Sequence, residues 1–155
     1  MSTDSEKYFW YLSSLTAIRV SAQSGADQLS VVEQRAPQGA SPLLHRHRAQ
    51  DEIFCVLEGE FRLKVGDREM RLGAGDVQLI PKGTPHTFRI ESPEAGHWLT
   101  ITVGTDYENF VRAFARPAEH LDVPPSGEEM SPENLLTTAM TADQFGIELV
   151  GPRLE

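Results

Sequence analysis

Gly39-Ala-Ser-Pro-Leu-Leu-His45-Arg-His47-Arg-Ala-Gln-Asp-Glu52-Ile-Phe-Cys-Val-Leu-Glu-Gly59 is the stretch on which the reading of this chain turns. Residues two apart on a strand face the same side, so His45 and His47, at a strand end, direct both imidazoles into one space. A short polar turn, residues 48–51, leads into Glu52, and alternation puts Phe54 and Val56 on the face of Glu52. Cys55 has the opposite parity and is expected to pack away from that face as an inert thiol. Further on, Pro81-Lys-Gly-Thr-Pro85 makes a rigid corner that delivers His86 to the start of another strand. Three imidazoles and one carboxylate form a mixed nitrogen and oxygen site for one divalent transition metal ion. Iron, manganese, nickel, cobalt, copper and zinc all suit that donor set.

The sequence around this core has the grammar of an antiparallel β protein. Glu60-Phe-Arg-Leu-Lys-Val65 alternates apolar and charged residues, Gly66-Asp67 supplies a tight turn, and Arg68-Glu-Met-Arg-Leu72 returns. Gly73-Ala-Gly-Asp76 turns again into Val77-Gln-Leu-Ile80, and Leu99-Thr-Ile-Thr-Val103 reads as the last clear strand. Many strands at short spacing with Gly and Pro turns predict a sandwich or barrel and exclude βαβ units. The barrel core is expected over about residues 15–103.

After Val103 the period changes. Thr105-Asp-Tyr-Glu108 reads as a capping box, followed by Phe110, Val111 and Phe114 at helical spacing. Ser131-Pro132-Glu133 predicts a second helix to about Phe145, with residues 121–127 as the loop between. The expectation is one domain over residues 1–155, with a helical segment over residues 105–155 packed on the barrel.

Composition narrows the function classes. The chain has 155 residues, a net charge of −9 and 39% hydrophobic residues, ordinary for a soluble globular protein. Lys and Arg are scattered, so neither a phosphate backbone nor an anionic membrane is an expected partner. No run approaches the length of a membrane span. The acidic start, the interrupted apolar segment over residues 8–20 and the single cysteine predict a cytoplasmic protein without a signal peptide.

The two glycine- and histidine-bearing stretches together resemble the paired motifs of the cupin superfamily. The first motif is matched in full by Gly39, His45, His47, Glu52 and Gly59. The second is matched by Gly75, Pro81, Gly83 and His86, while Ile90 replaces its closing Asn. That Asn is a structural position of the pattern, and its loss leaves the metal ligands untouched. The resemblance implies a jelly-roll β-barrel holding its ion through His45, His47, Glu52 and His86, and it implies a homodimer. The aromatic opening Tyr8-Phe-Trp-Tyr11, the Pro-Leu-Leu before the histidines and the tail Phe110-Val-Arg-Ala-Phe-Ala-Arg-Pro117 look like bacterial cupins similar to quercetin 2,3-dioxygenase.

That likeness implies cleavage of an enolised aromatic small molecule, such as a flavonol, by dioxygen. Glu52 would act as catalytic base for the substrate hydroxyl. Phe54 and Phe88, each two residues from a ligand, are candidate walls of the substrate pocket, against the simpler reading of both as core. Two alternatives stand beside the dioxygenase. One is a redox-free cyclase or isomerase of a polyketide-like enol; the other is a non-catalytic small-molecule binder. By parity with Leu99, Ile101 and Val103, His97 either faces the interior near the mouth or is a strand-end surface group. Trp98 has outward parity, suited to a dimer interface or a cover under the helices. His120 reads as solvated.

Overall fold

The computed structural model describes residues 7–124 and 132–155. The acidic start over residues 1–6, the end of the loop at 125–127 and the cap at Ser131 lie outside them. In chain order the strands are β1 (Phe9–Tyr11), β2 (Ser14–Val20), β3 (Leu29–Ala36), β4 (Leu44–His47) and β5 (Glu52–Glu58). Next come β6 (Phe61–Val65), β7 (Arg68–Leu72), β8 (Val77–Ile80), β9 (His86–Ile90) and β10 (Gly96–Val103). The chain then forms helix α1 (Asp106–Phe114), β11 (Arg116–Pro117), helix α2 (Pro132–Gln144) and β12 (Ile147–Gly151).

The strands make two antiparallel sheets, a seven-stranded one ordered β11-β1-β2-β3-β10-β5-β8 and a five-stranded one ordered β12-β4-β9-β6-β7. This is the all-β jelly roll, with a small helical appendage. Between the sheets one end is filled by Phe54, Phe61, Leu63, Ile90 and Trp98, all nearly inaccessible. The Phe54, Phe61, Phe88 and Trp98 rings meet at centroid distances of 5.1 to 6.0 Å, mostly edge to face. Each fully buried ring of this kind contributes about 1.5–3 kcal/mol through apolar burial. The other end is closed by α1, whose Tyr107, Phe110 and Val111 pack on Tyr11, Val32 and Ile147.

Strand β10 departs from the sequence expectation. Trp98, Thr100 and Thr102 are buried, while His97, Leu99, Ile101 and Val103 lie on the outer side. The apolar residues were the natural choice for the interior, yet the threonines take it, and for Thr100 polar partners wait there. Thr100 Oγ1 donates to Gln34 Oε1 at 3.3 Å, and the Tyr107 hydroxyl donates to the same oxygen at 2.9 Å. A register shift between His97 and Trp98 against β5 seats the indole in the aromatic cluster. His97 instead stands on the outer face, 2.9 Å from Glu33 Oε1.

The outer side of the large sheet is consequently apolar along much of β10, β5 and β8, with Glu33 and His97 at its border. The pairings align Leu29 with Val103, Val31 with Ile101, Ile101 with Ile53, Leu99 with Cys55, Ile53 with Leu79 and Cys55 with Val77. Leu29, Ile53, Val77, Leu79 and Val103 are exposed.

The C-terminal segment also differs from expectation. It is not purely helical, because β12 pairs along β4, with Ile147 opposite His47 and Leu149 opposite His45. The capping box does not form either. Thr105 makes no side-chain cap bond, and Glu108 turns away to accept from Ala22 N at 2.8 Å and Ser21 Oγ at 2.9 Å. Gln50 caps α1 in its place, accepting the Tyr107 backbone N–H at 3.0 Å.

Candidate metal centre

Strands β4 and β9 lie side by side in the smaller sheet with His45 directly opposite His86. His47 is two residues along the same face of β4, and the three imidazoles converge with their ligand atoms within 4.8 Å of one another. Glu52 arrives from the facing sheet, as the first residue of β5. The group therefore spans the interior between the sheets. The glycine turns fit this purpose: Gly83, at φ +78°, donates its N–H to His47 O at 2.7 Å, which ties the corner before His86 to the ligand strand.

Backbone carbonyls set the imidazole tautomers. His45 Nδ1 lies 2.7 Å from Leu43 O, and His86 Nδ1 lies 2.9 Å from Thr84 O. A carbonyl only accepts, so each Nδ1 carries the proton and each Nε2 keeps its lone pair when neutral. Outer hydrogen bonds of this kind orient metal-ligating histidines. Both nitrogens of His47 are buried without a hydrogen-bond partner among the described residues. Its Nε2 comes within 3.1 Å of Glu52 Oε2, but the approach is misaligned for a hydrogen bond. His86 Nε2 reaches the same carboxylate oxygen at 3.1 Å. An orphaned imidazole nitrogen beside two others and an acid fits a divalent transition metal, and the three histidines could hold one.

The electrostatics agree with that use. Burial, with His86 and His47 nearby, pushes His45 down to about 3, so it stays neutral and free to ligate. Burial pushes the Glu52 carboxyl up, but His86 and His47 together outweigh it and hold the group well below the usual carboxylate range. Burial lowers His86, and Glu52 more than compensates, leaving it raised. Burial and the anionic Glu52 raise the Tyr107 phenol, and burial with Tyr107 and Glu52 raises Tyr11. Both phenols therefore stay protonated on the helix-closed side. Tyr107, its ring 5.8 Å from His47, was not legible as a site residue because its position read as part of a capping box at a helix start.

The candidate pocket residues sit in the core. Phe54 is 1% exposed and Phe88 half-buried, and their rings touch at a centroid distance of 5.2 Å. Two clefts lie elsewhere. One, about 300 Å³, is lined by Tyr8, Glu33, Arg35 and Asp122 among others; the second is lined by Arg62, Glu69, Met70 and Arg71.

Residues 32–102 match the family model described as the cupin domain. Over these residues the chain carries a cupin domain. Across 143 residues, 92% of its length, this cupin is 27% identical to quercetin 2,3-dioxygenase of Bacillus subtilis, of which it spans 42%. It spans less than half the length of each curated relative it matches. Among solved structures it resembles KdgF from a Halomonas species, with a TM-score of 0.58 at 20% identity, covering 68% of this chain and 94% of that one. A predicted oxalate decarboxylase of Thermotoga maritima gives 0.59 at 20% identity, covering 66% and 98%. At such identities these structures support the fold alone.

Proposed function

We propose that this cupin is a metal-dependent dioxygenase of a flavonol-like or other aromatic enol, with His45, His47, Glu52 and His86 holding one divalent ion. The observation that carries the reading is the Glu52 carboxylate, ionised and in contact with two of three converging imidazoles. The 27% identity to quercetin 2,3-dioxygenase over most of the chain supports it. When bound, the ion supplies Lewis acidity and, if redox-active, an electron path to dioxygen. Glu52 accepts the proton of the substrate hydroxyl at a carboxylate oxygen, which frees electron density on the enolate. His45 and His86, locked by Leu43 O and Thr84 O, keep their Nε2 atoms aimed at the reacting centre. Phe88, with Phe54 behind it, presents an apolar wall that excludes water from the enolate.

The test is oxygen uptake by metal-loaded protein with a flavonol. Glu52→Gln keeps the shape without the basicity, so turnover per bound metal ion falls by about 10²–10⁴-fold, with metal occupancy measured in the same sample. Normal uptake in a fully loaded Glu52→Gln protein removes the base role. A second reading is favoured by the tight packing of Phe54, Phe61, Phe88 and Trp98, which leaves the interior filled beside the histidines. A smaller enol, isomerised or cyclised without oxygen, suits that space, and anaerobic turnover at the same rate selects it.

We also infer that two copies meet through the outer face of β3, β10, β5 and β8. Along β10, β5 and β8 it carries the apolar side chains of Leu99, Ile101, Ile53, Val77 and Leu79, bordered on β3 by Glu33, whose charge is met by Arg19 and His97 of the same chain. Light scattering should give twice the chain mass, and Ile53→Lys with Leu79→Lys should give the monomer. A monomeric parent protein overturns this.

A further inference from the structure

On the inner face of the large sheet, one row of directly opposed residues runs from Ser30 on β3 through Thr102 on β10 to Glu52 on β5. Ser30 is 0% exposed and Thr102 1%. Among the described residues neither hydroxyl has a hydrogen-bond partner. Two residues along β10, Thr100 does find one in Gln34, so the strand can satisfy an inward threonine when a protein group is in reach. Native interiors leave few buried polar groups unpaired, and those few call for a specific cause.

The spacing supplies one. Side chains directly opposite on neighbouring antiparallel strands have Cβ atoms about 4.5–5.5 Å apart. That span suits a single oxygen making hydrogen bonds of about 2.7–2.8 Å to either side. A buried water makes about three hydrogen bonds, and the row ends on a carboxylate that provides a third group. Glu52 uses Oε2 towards His47 and His86, which leaves Oε1 as the oxygen to serve the row.

We propose that Ser30, Thr102 and Glu52 Oε1 bind one buried water, and that through it Thr102 is a positioning residue for the Glu52 carboxylate. The water donates to Glu52 and accepts from Thr102, while Ser30 takes the remaining bond. Only the positioning role rests on the reading of Glu52 as a metal ligand; the water stands on the two hydroxyls.

Three variants test it, with Co²⁺ titration followed by visible absorption and urea unfolding of the metal-free chain. Thr102→Val keeps the side-chain shape without the hydroxyl, Thr102→Ser keeps the hydroxyl, and Ser30→Ala removes the far one. Thr102→Val is expected to weaken Co²⁺ binding about 10–100-fold, as lost outer-layer partners do, and to lower the urea midpoint. Thr102→Ser should bind Co²⁺ as the parent does, and Ser30→Ala should lower the midpoint. A midpoint in Thr102→Val at or above the parent's marks a dry, unpaired hydroxyl and overturns the water. If Thr102→Val does not fold, Ser30→Ala makes the same comparison, and a midpoint at or above the parent's overturns the water equally. Unchanged Co²⁺ affinity in Thr102→Val overturns the positioning role. If the parent itself binds no Co²⁺, the metal reading fails with it, and the midpoints still decide the water.

Discussion

Gln50 and Tyr107 are 57 positions apart, yet the Gln50 side chain accepts the Tyr107 backbone N–H at 3.0 Å. The same amide donates from Nε2 to Val103 O at 2.9 Å. Gln50 lies in the turn between His47 and Glu52, so one buried side chain ties the ligand-bearing loop to the start of α1 and the end of β10. Replacing Gln50 by Ala leaves a buried donor and a partly buried acceptor unpaired. A loss of about 1–3 kcal/mol is expected in urea unfolding. A loss near zero in that measurement means that α1 is held by its apolar face alone.

Metal binding should stabilise the folded chain by mass action. At about a hundred times the dissociation constant the gain is about 2.7 kcal/mol, visible as a rise in the thermal midpoint. The double variant His45→Ala, His47→Ala should lose both stoichiometric metal and the rise. Retained metal in that variant, measured by elemental analysis, rules out the centre assigned here.

Acid should unfold the metal-free protein early, and His45 supplies the reason. Its folded value is about 3, whereas an unfolded histidine takes its proton near 6.5. The unfolded state therefore binds more protons between these values, so the His45 contribution is complete above about pH 6.5 and drains away towards pH 3. Glu52, also depressed, adds a loss at lower pH, as pH falls from the ordinary carboxylate range through its folded value. His86 is raised, so its contribution is complete below about pH 6.5 and is lost as pH climbs through the folded value. Thermal midpoints against pH should show a shallower acid limb in His45→Asn. An acid limb as steep as the parent's assigns the sensitivity to other groups.

Gly96 tests how tightly the aromatic end is packed. A Cβ there would sit 2.6 Å from Phe61 Cζ and 2.9 Å from Ile90 Cδ1. Both neighbours are fully buried, so neither can swing out. Gly96→Ala should cost about 1–3 kcal/mol through overpacking, against little change for Gly73→Ala, where nothing lies within 4 Å. Equal midpoints for the two variants would mean that β9 and β10 separate easily.

Much of this molecule was legible one residue at a time. The hairpin at Gly66-Asp67, the rigid Pro81 to Pro85 corner and the shared parity of His45 and His47 follow from local backbone rules, since turn residues and strand alternation act over a few positions. The convergence of His86 with them came from motif spacing, and the structure brings all three together. Phe54, Phe61 and Leu63 face inward as alternation requires.

Tertiary structure decided the rest, wherever a residue's environment was set by a distant partner. On β10 the apolar and threonine positions compete for the interior, and Gln34 and Tyr107 tip the balance to Thr100. Glu108 leaves its own helix start because Ala22 N and Ser21 Oγ compete for it, and Gln50 fills the cap. Ile147 to Gly151 is too short to declare itself, and becomes a strand only because β4 offers an open edge with an ion pair, Arg46 to Glu148, across it. Sequence by itself determined an antiparallel sandwich or barrel and which side chains could hold a metal, because those depend on local period and spacing, and the motif resemblance narrowed the barrel to a jelly roll. Which polar groups surround the centre, and which strand face is dry, depended on pairings between residues far apart in the chain.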